Sequence, residues 1–253
     1  RLRLVSKDDG YKVSETVRLT KDLINEAQPV ALFGFVGTGN VEELVKEKVL
    51  ADAGIPLVTV RSGASSLAKS ANPWLFFTRA SYEAEINKII ELYAPIGYKK
   101  LAVFYQNDPF GLDGLASAEA LAKKYDCKIV AKGSYEKNTT DVAAAVKAIA
   151  AGEPNAVIMV SNTAASAEFV KKSREAGNMA QLVALSVNDA PQIVERIGKQ
   201  MASGLAITQV VPSPENRSIP IVREVMDSYA RAKPADVAVN HALLEGYLGA
   251  KVL

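Results

Sequence analysis

Eight short, nearly unbroken apolar runs, each followed by an amphipathic segment, constrain this chain more than any other feature of it. They cover residues 2–6, 30–36, 55–60, 101–105, 127–131, 156–161, 182–187 and 205–211. A strand with one wet face alternates apolar and polar residues. A run that stays apolar at successive positions is buried on both faces, as parallel strands covered by helices are. The segments between the runs carry helical periodicity: Val142, Ala145, Val146, Ile149 and Ala150 recur at i, i+3, i+4, i+7 and i+8 and form one stripe. Val13, Val17, Ile24 and Ala27 behave similarly, and the segment from Ala164 ends in Lys171, Lys172 and Arg174 before Gly177, cations and a glycine where a helix C-terminus favours them. The alternation predicts doubly wound α/β layers on parallel sheets.

At 253 residues, with roughly 150 residues per domain, the chain has room for about 1.7 domains, one large domain or two lobes. Two stretches break the rhythm. Residues 61–79 run through a polar loop into an apolar stretch at 73–79, before a helix that starts near Tyr82; residues 209–216 contain Pro212 and Pro214, and X-Pro steps favour extended backbone. Each stretch is either a crossing between lobes or a surface loop.

Composition removes whole classes of function. Thirty Lys and Arg against 28 Asp and Glu leave +2, too even a balance for nucleic acid or an anionic membrane as the main partner. No apolar run approaches the roughly 18 residues of a membrane-spanning helix, and residues 1–5 are too short and too alternating for a signal peptide. The single cysteine, Cys127, forms no internal disulfide and reads as a small buried hydrophobe in a strand. The single histidine, His241, excludes multi-histidine metal sites, and no G-x-S-x-G elbow supplies a triad serine. Asp8-Asp9-Gly10 lacks the alternation of a calcium loop. Glu42 and Glu43, in the first turn of a helix read over residues 41–53, do not face each other. No catalytic residue, metal ligand or cofactor is assigned.

In open parallel sheets, ligands bind beyond the carboxyl ends of the strands, where helix N-termini point free N–H groups. The first such loop, residues 34–40, contains Gly37, Thr38, Gly39 and Asn40. Its glycines are spaced G-x-x-G-x-G rather than as a dinucleotide fingerprint. Thr38 and Asn40 are placed to cap the next helix, a role compatible with holding a carboxylate. The second loop, Arg61-Ser62-Gly63-Ala64-Ser65-Ser66, is an anion-friendly nest in which Arg61 adds a carboxylate fork. The third carries Asn107 and Phe110, the fourth Asn162, and the fifth Ser186. Loops rich in hydroxyls and amides and poor in catalytic types point to recognition rather than reaction.

Several stretches, in order along the chain, resemble the substrate-binding proteins of ABC importers of the branched-chain amino-acid type, the type I periplasmic binding proteins. They are Asp8-Asp9-Gly10-Tyr11, Gly34-Phe35-Val36-Gly37-Thr38, Ser62-Gly63-Ala64, Arg79-Ala80-Ser81-Tyr82, the run from Tyr105 to Gly111, the run from Pro154 to Val160, Arg217-Ser218-Ile219-Pro220 and Glu245-Gly246-Tyr247. The resemblance implies two doubly wound lobes joined by crossing strands, residues 1–79 with 212–253 and residues 80–211, closing on a solute like a hinge. It also implies a further strand and helix ahead of residue 1, carrying part of the binding site, and more chain after residue 253.

Carried over by position, Thr38, Ser62 and the backbone of Gly63 and Ala64 grip a carboxylate, with Gly39 and Arg61 beside them. Tyr82 and Phe110 line the cleft from the second lobe, with Asn107 near. Asn162 stands where relatives often carry an aromatic. Ser186 stands where amino-acid binders place an acid for the ligand ammonium, so Asp189 or Asp108 would have to substitute for it. The implied solutes are therefore small carboxylates: hydrophobic or branched-chain amino acids, or aromatic and keto acids. The implied setting is a monomer in the periplasm, or lipid-anchored outside the cell, serving an ABC permease. Two alternatives remain open at this point, a ligand-sensing domain of a receptor or transcriptional regulator and a nucleotide-dependent α/β enzyme.

Overall fold

The computed structural model describes residues 3–234 and 237–253. The chain divides into two compact units, Arg1–Arg79 with Val211–Leu253 and Ala80–Val210. The first unit opens with α1 (Val13–Ala27), β1 (Leu32–Phe33), α2 (Thr38–Lys46), α3 (Val49–Ala53), β2 (Leu57–Val58), α4 (Ser65–Ala68) and β3 (Leu75–Phe76). Its three strands pair in parallel in the order β1-β2-β3. Leu32, Val41, Leu50, Leu57, Val60, Leu67 and Leu75 form its core.

Several sequence expectations are corrected here. The strand read at residues 2–6 is absent at residues 3–6, and residue 2 lies outside the described residues. No described strand pairs with this segment, and Leu4 is 82% exposed; an alternating pattern forms a strand only beside a partner. The run at 30–36 shortens to two residues because Val30 points into solvent. The helix read over 41–53 breaks where Lys48 adopts a left-handed φ of 56°, leaving α2 and α3. Since α2 starts at Thr38, Glu42 and Glu43 lie beyond its first turn, where Glu43 pairs with Lys46 and Glu42 accepts from Ser66.

The second unit runs α5 (Tyr82–Tyr93), β4 (Lys100–Gln106), α6 (Pro109–Lys124), β5 (Lys128–Tyr135), α7 (Ala143–Ala151), β6 (Ala156–Val160), α8 (Thr163–Glu175), β7 (Gln181–Ala184), α9 (Ala190–Ala202) and β8 (Ala206–Ile207). All five strands are parallel, in the order β5-β4-β6-β7-β8. Every residue of β6 is buried, as a strand sandwiched between helix layers must be. Ala102, Phe104, Val157 and Met159 face α7 and α8, with the rings of Phe104 and Phe169 stacked at 4.0 Å. On the opposite face Gly114 of α6 packs against Val160. The run read at 205–211 pairs only as far as Ile207, because β8 is an edge strand bonded to β7 alone. The chain then returns to the first unit with α10 (Pro220–Ala232) and α11 (His241–Val252).

Cys127 lies one residue before β5 and is buried, and burial pushes its thiol above the usual range. Alkylation of the native protein by a thiol reagent at pH 7.5 is therefore expected to be at least tenfold slower than alkylation in urea. Equal rates would contradict the burial.

Candidate functional site

In the first unit the loops after β1 and β2 run side by side, joined by a parallel bridge between Val36 and Arg61 and by the Arg61 N–H donating to the Phe35 carbonyl at 2.8 Å. This brings the buried hydroxyls of Thr38 and Ser62 to 2.8 Å from each other. Ser62 Oγ also accepts from the Ala64 N–H at 3.3 Å, which folds residues 62–64 into a tight turn just before α4. One hydroxyl hydrogen is spent between Thr38 and Ser62, so the pair retains one hydrogen and free lone pairs.

Neither residue expected to cap α2 does so. Gly37 is the N-cap, at φ 104°, a backbone that favours glycine. Thr38 and Asn40 lie inside the first turn, and Asn40 donates to Thr16 Oγ1 at 2.7 Å. Gly39 is half-buried in the same turn, and Gly63 is buried. Arg61 is held differently from a free carboxylate fork. Its Nε lies 3.8 Å from Oε2 of Glu245, a buried acid on α11 whose other oxygen lies 3.4 Å from Nη1 of the buried Arg79. Sequence reasoning missed Glu245 as a charge partner, since nothing local ties α11 to the β2 loop.

In the second unit the order β5-β4-β6 makes a switch point. The loops after β4 and β6 leave their strands next to each other, the geometry that opens a crevice in doubly wound sheets. A polar network occupies it. Tyr135 OH donates to Gln106 Oε1 at 2.8 Å and accepts from the Asn162 N–H at 3.0 Å. Asn162 caps α8 through Ala165 and also donates to Gln106 at 3.3 Å. Asn107 is exposed and donates to Glu136 at 2.8 Å. Tyr82 and Phe110 are buried, with ring centroids 5.0 Å apart and planes tilted by 57°.

Around Ser186 the structure shows an acid that sequence reasoning did not find. Glu85, on α5 and buried, accepts from the Ser186 N–H at 2.9 Å, from Ser186 Oγ at 2.9 Å and from the Thr208 hydroxyl. The signal was present: Glu85 falls three residues after Tyr82 on a stripe with Ile86, Ile89 and Ile90, all of them buried, and an acid on an apolar stripe marks a buried carboxylate. The two acids named as substitutes serve as helix caps. Asp108 accepts from the Gly111 N–H and from Gln106 Nε2, and Asp189 accepts from the Gln192 N–H.

Comparison with known proteins follows the same lines. A model of the periplasmic binding protein family matches residues 1–253. A substrate-binding periplasmic protein from Ralstonia solanacearum is 36% identical, with a TM-score of 0.93 over 99% of this chain and 70% of its own. A "possible leucine/isoleucine/valine-binding protein" from Rhodopirellula baltica SH 1 is 27% identical, with a TM-score of 0.92 over 99% of this chain and 68% of its own. An extracellular ligand-binding receptor from Verminephrobacter eiseniae is 27% identical, with a TM-score of 0.87 over 98% of this chain and 70% of its own. A search of curated proteins returned no match.

Proposed function

The chain belongs to the periplasmic binding protein family, and from that premise we propose that it captures a small carboxylate-bearing solute, unchanged, and delivers it to an ABC permease outside the cytoplasm. The observation that carries this reading is the Thr38–Ser62 hydroxyl pair, buried at the carboxyl ends of β1 and β2 with the turn at Gly63 and Ala64 behind it. The one hydroxyl hydrogen that the pair retains, on buried residues, suits an oxygen of a carboxylate. Arg61, half-buried beside them and facing Glu245 at 3.8 Å, adds positive charge nearby. The Rhodopirellula baltica protein, named for leucine, isoleucine and valine, supports amino acids as the first solutes to test. Aromatic and keto acids come next. No helix among the described residues is long and apolar enough to cross a membrane.

A thermal-shift screen over amino acids, keto acids and benzoate-like acids tests the reading. A true ligand at about 1,000 times its dissociation constant stabilises the protein by about 4 kcal/mol. The double variant T38V/S62A removes the hydroxyl pair and is expected to weaken that ligand about tenfold or more, each lost hydrogen bond being worth about 1 kcal/mol. No shift from any carboxylate, or undiminished binding by the double variant, would overturn the assignment of this pair.

A further inference from the structure

The loop that carries Ser62 also carries a guanidinium that the first unit leaves short of partners. The Arg61 side chain is 30% exposed, and its one charge contact among the described residues is Glu245 Oε2 at 3.8 Å, beyond hydrogen-bond length. Its Nε is buried without a hydrogen-bond partner. The carboxylate it faces lies closer to Arg79, with 3.4 Å between Oε1 and Nη1. A guanidinium presents five N–H donors in a planar fork that matches a carboxylate. With Nε on the Glu245 side, the edge formed by the two terminal nitrogens is left for an anion from outside. A charged group that is half-buried and gains no hydrogen bond is unfavourable until such an anion arrives.

The guanidinium and the hydroxyl pair leave the same strand end on opposite sides. Thr59 and Arg61 both face α11: a Cβ added to Gly249 would meet Thr59 Oγ1 at 2.1 Å, and Glu245, one turn earlier on that helix, faces Arg61. Ser62 faces the other way, onto Thr38 of α2 at 2.8 Å, in keeping with the two-residue alternation of extended backbone. Neighbouring Cα atoms are about 3.8 Å apart and these two side chains diverge from them, so the two anion-binding points are farther apart than the oxygens of a single carboxylate.

We propose that the solute carries a second anionic group and that Arg61 is the residue that selects for it. One carboxylate meets the Thr38–Ser62 pair, and a second, separated from it by two or more carbons, lies on the free edge of the Arg61 guanidinium. The inference rests on the carboxylate reading above and narrows it to short dicarboxylates, acidic amino acids included. A neutral amide in place of the second carboxylate keeps its shape, loses its charge, and sets an NH2 group against a guanidinium that can only donate.

The test is calorimetry on diacids paired with their own monoamides: succinate with succinamate, glutarate with glutaramate, adipate with adipamate, and glutamate with glutamine. On the skeleton that binds best, the diacid is expected to bind at least tenfold tighter than its monoamide. Arg61→Gln should bring that ratio to within about twofold, and Arg61→Lys should keep part of it. The double variant T38V/S62A should weaken both members of the pair and leave their ratio unchanged. Monoamides that bind as tightly as the diacids, an R61Q protein that keeps the full ratio, or binding of monocarboxylates alone would overturn the proposal while the carboxylate reading stands. Absence of binding by every carboxylate would remove both. Melting curves of the free variants verify folding, and the wild-type pairs decide the question even if a variant fails to fold.

Discussion

Replacing Gly111 with alanine is expected to destabilise the second unit by about 3 kcal/mol or more, a mutational loss in the upper part of the usual range. Gly111 lies in the first turn of α6, directly behind the N-cap Asp108. A Cβ there would sit 1.8 Å from the carbonyl oxygen of Gln106 and 2.7 Å from its carbonyl carbon and nitrogen. These are backbone atoms at the end of β4, so no side-chain rotation relieves the overlap. The first turn of α6 must move away from the sheet, and the Gln106–Tyr135–Asn162 network moves with it. At roughly 2–4 °C per kcal/mol for a protein of this size, the loss reads as a fall of about 6–12 °C in melting temperature. Gly246→Ala is the control. Nothing lies within 4 Å of its added Cβ, and alanine in a helix gains about 1 kcal/mol over glycine. A G111A protein that melts with the wild type would show that α6 does not approach β4 as described.

Glu245→Ala is expected to cost about 3–5 kcal/mol, measured as a shift in the urea midpoint at unchanged slope. The carboxylate faces two guanidiniums, at 3.4 Å from Arg79 and 3.8 Å from Arg61, and the Arg79 side chain is only 1% exposed. Removing the anion takes the Glu245 counter-charge from the Arg79 guanidinium, which water does not reach, and loss of one partner of a buried ion pair costs more than the intact pair contributes. The cluster also joins α11 to the loop that carries Ser62, so the variant should weaken carboxylate binding as well as stability. Loss of less than 1 kcal/mol would place Glu245 in water rather than against the two arginines.

The interior of the second unit's sheet was legible because β4 and β6 are apolar at nearly every position, and hydropathy reports burial on both faces directly. The runs at 101–105 and 156–161 correspond to β4 and β6, neighbouring interior strands of the ladder. The run at 2–6 looked equally strand-like and is none over its described residues. A strand needs a neighbour, and hydropathy does not say whether one is there. The loops nominated as ligand-binding were read from their position after strands. Their internal bonding was not legible, because Thr38 and Ser62 are 24 residues apart and Glu85 and Ser186 are 101 apart.

What the sequence determined by itself is the chemistry available: parallel α/β layers from runs apolar on both faces, and strand-end loops stocked with hydroxyls and amides instead of catalytic groups. Only the tertiary structure decided which of those groups meet. It turned two expected helix caps into a buried hydroxyl pair and a bond to α1, set Glu245 against two arginines, and placed a buried acid beneath Ser186 where the local sequence has none. The reason is physical. Burial is a property of each residue and leaves a periodic trace along the chain, whereas a hydrogen bond or ion pair depends on the separation of two groups, which only the crossovers of the folded chain set.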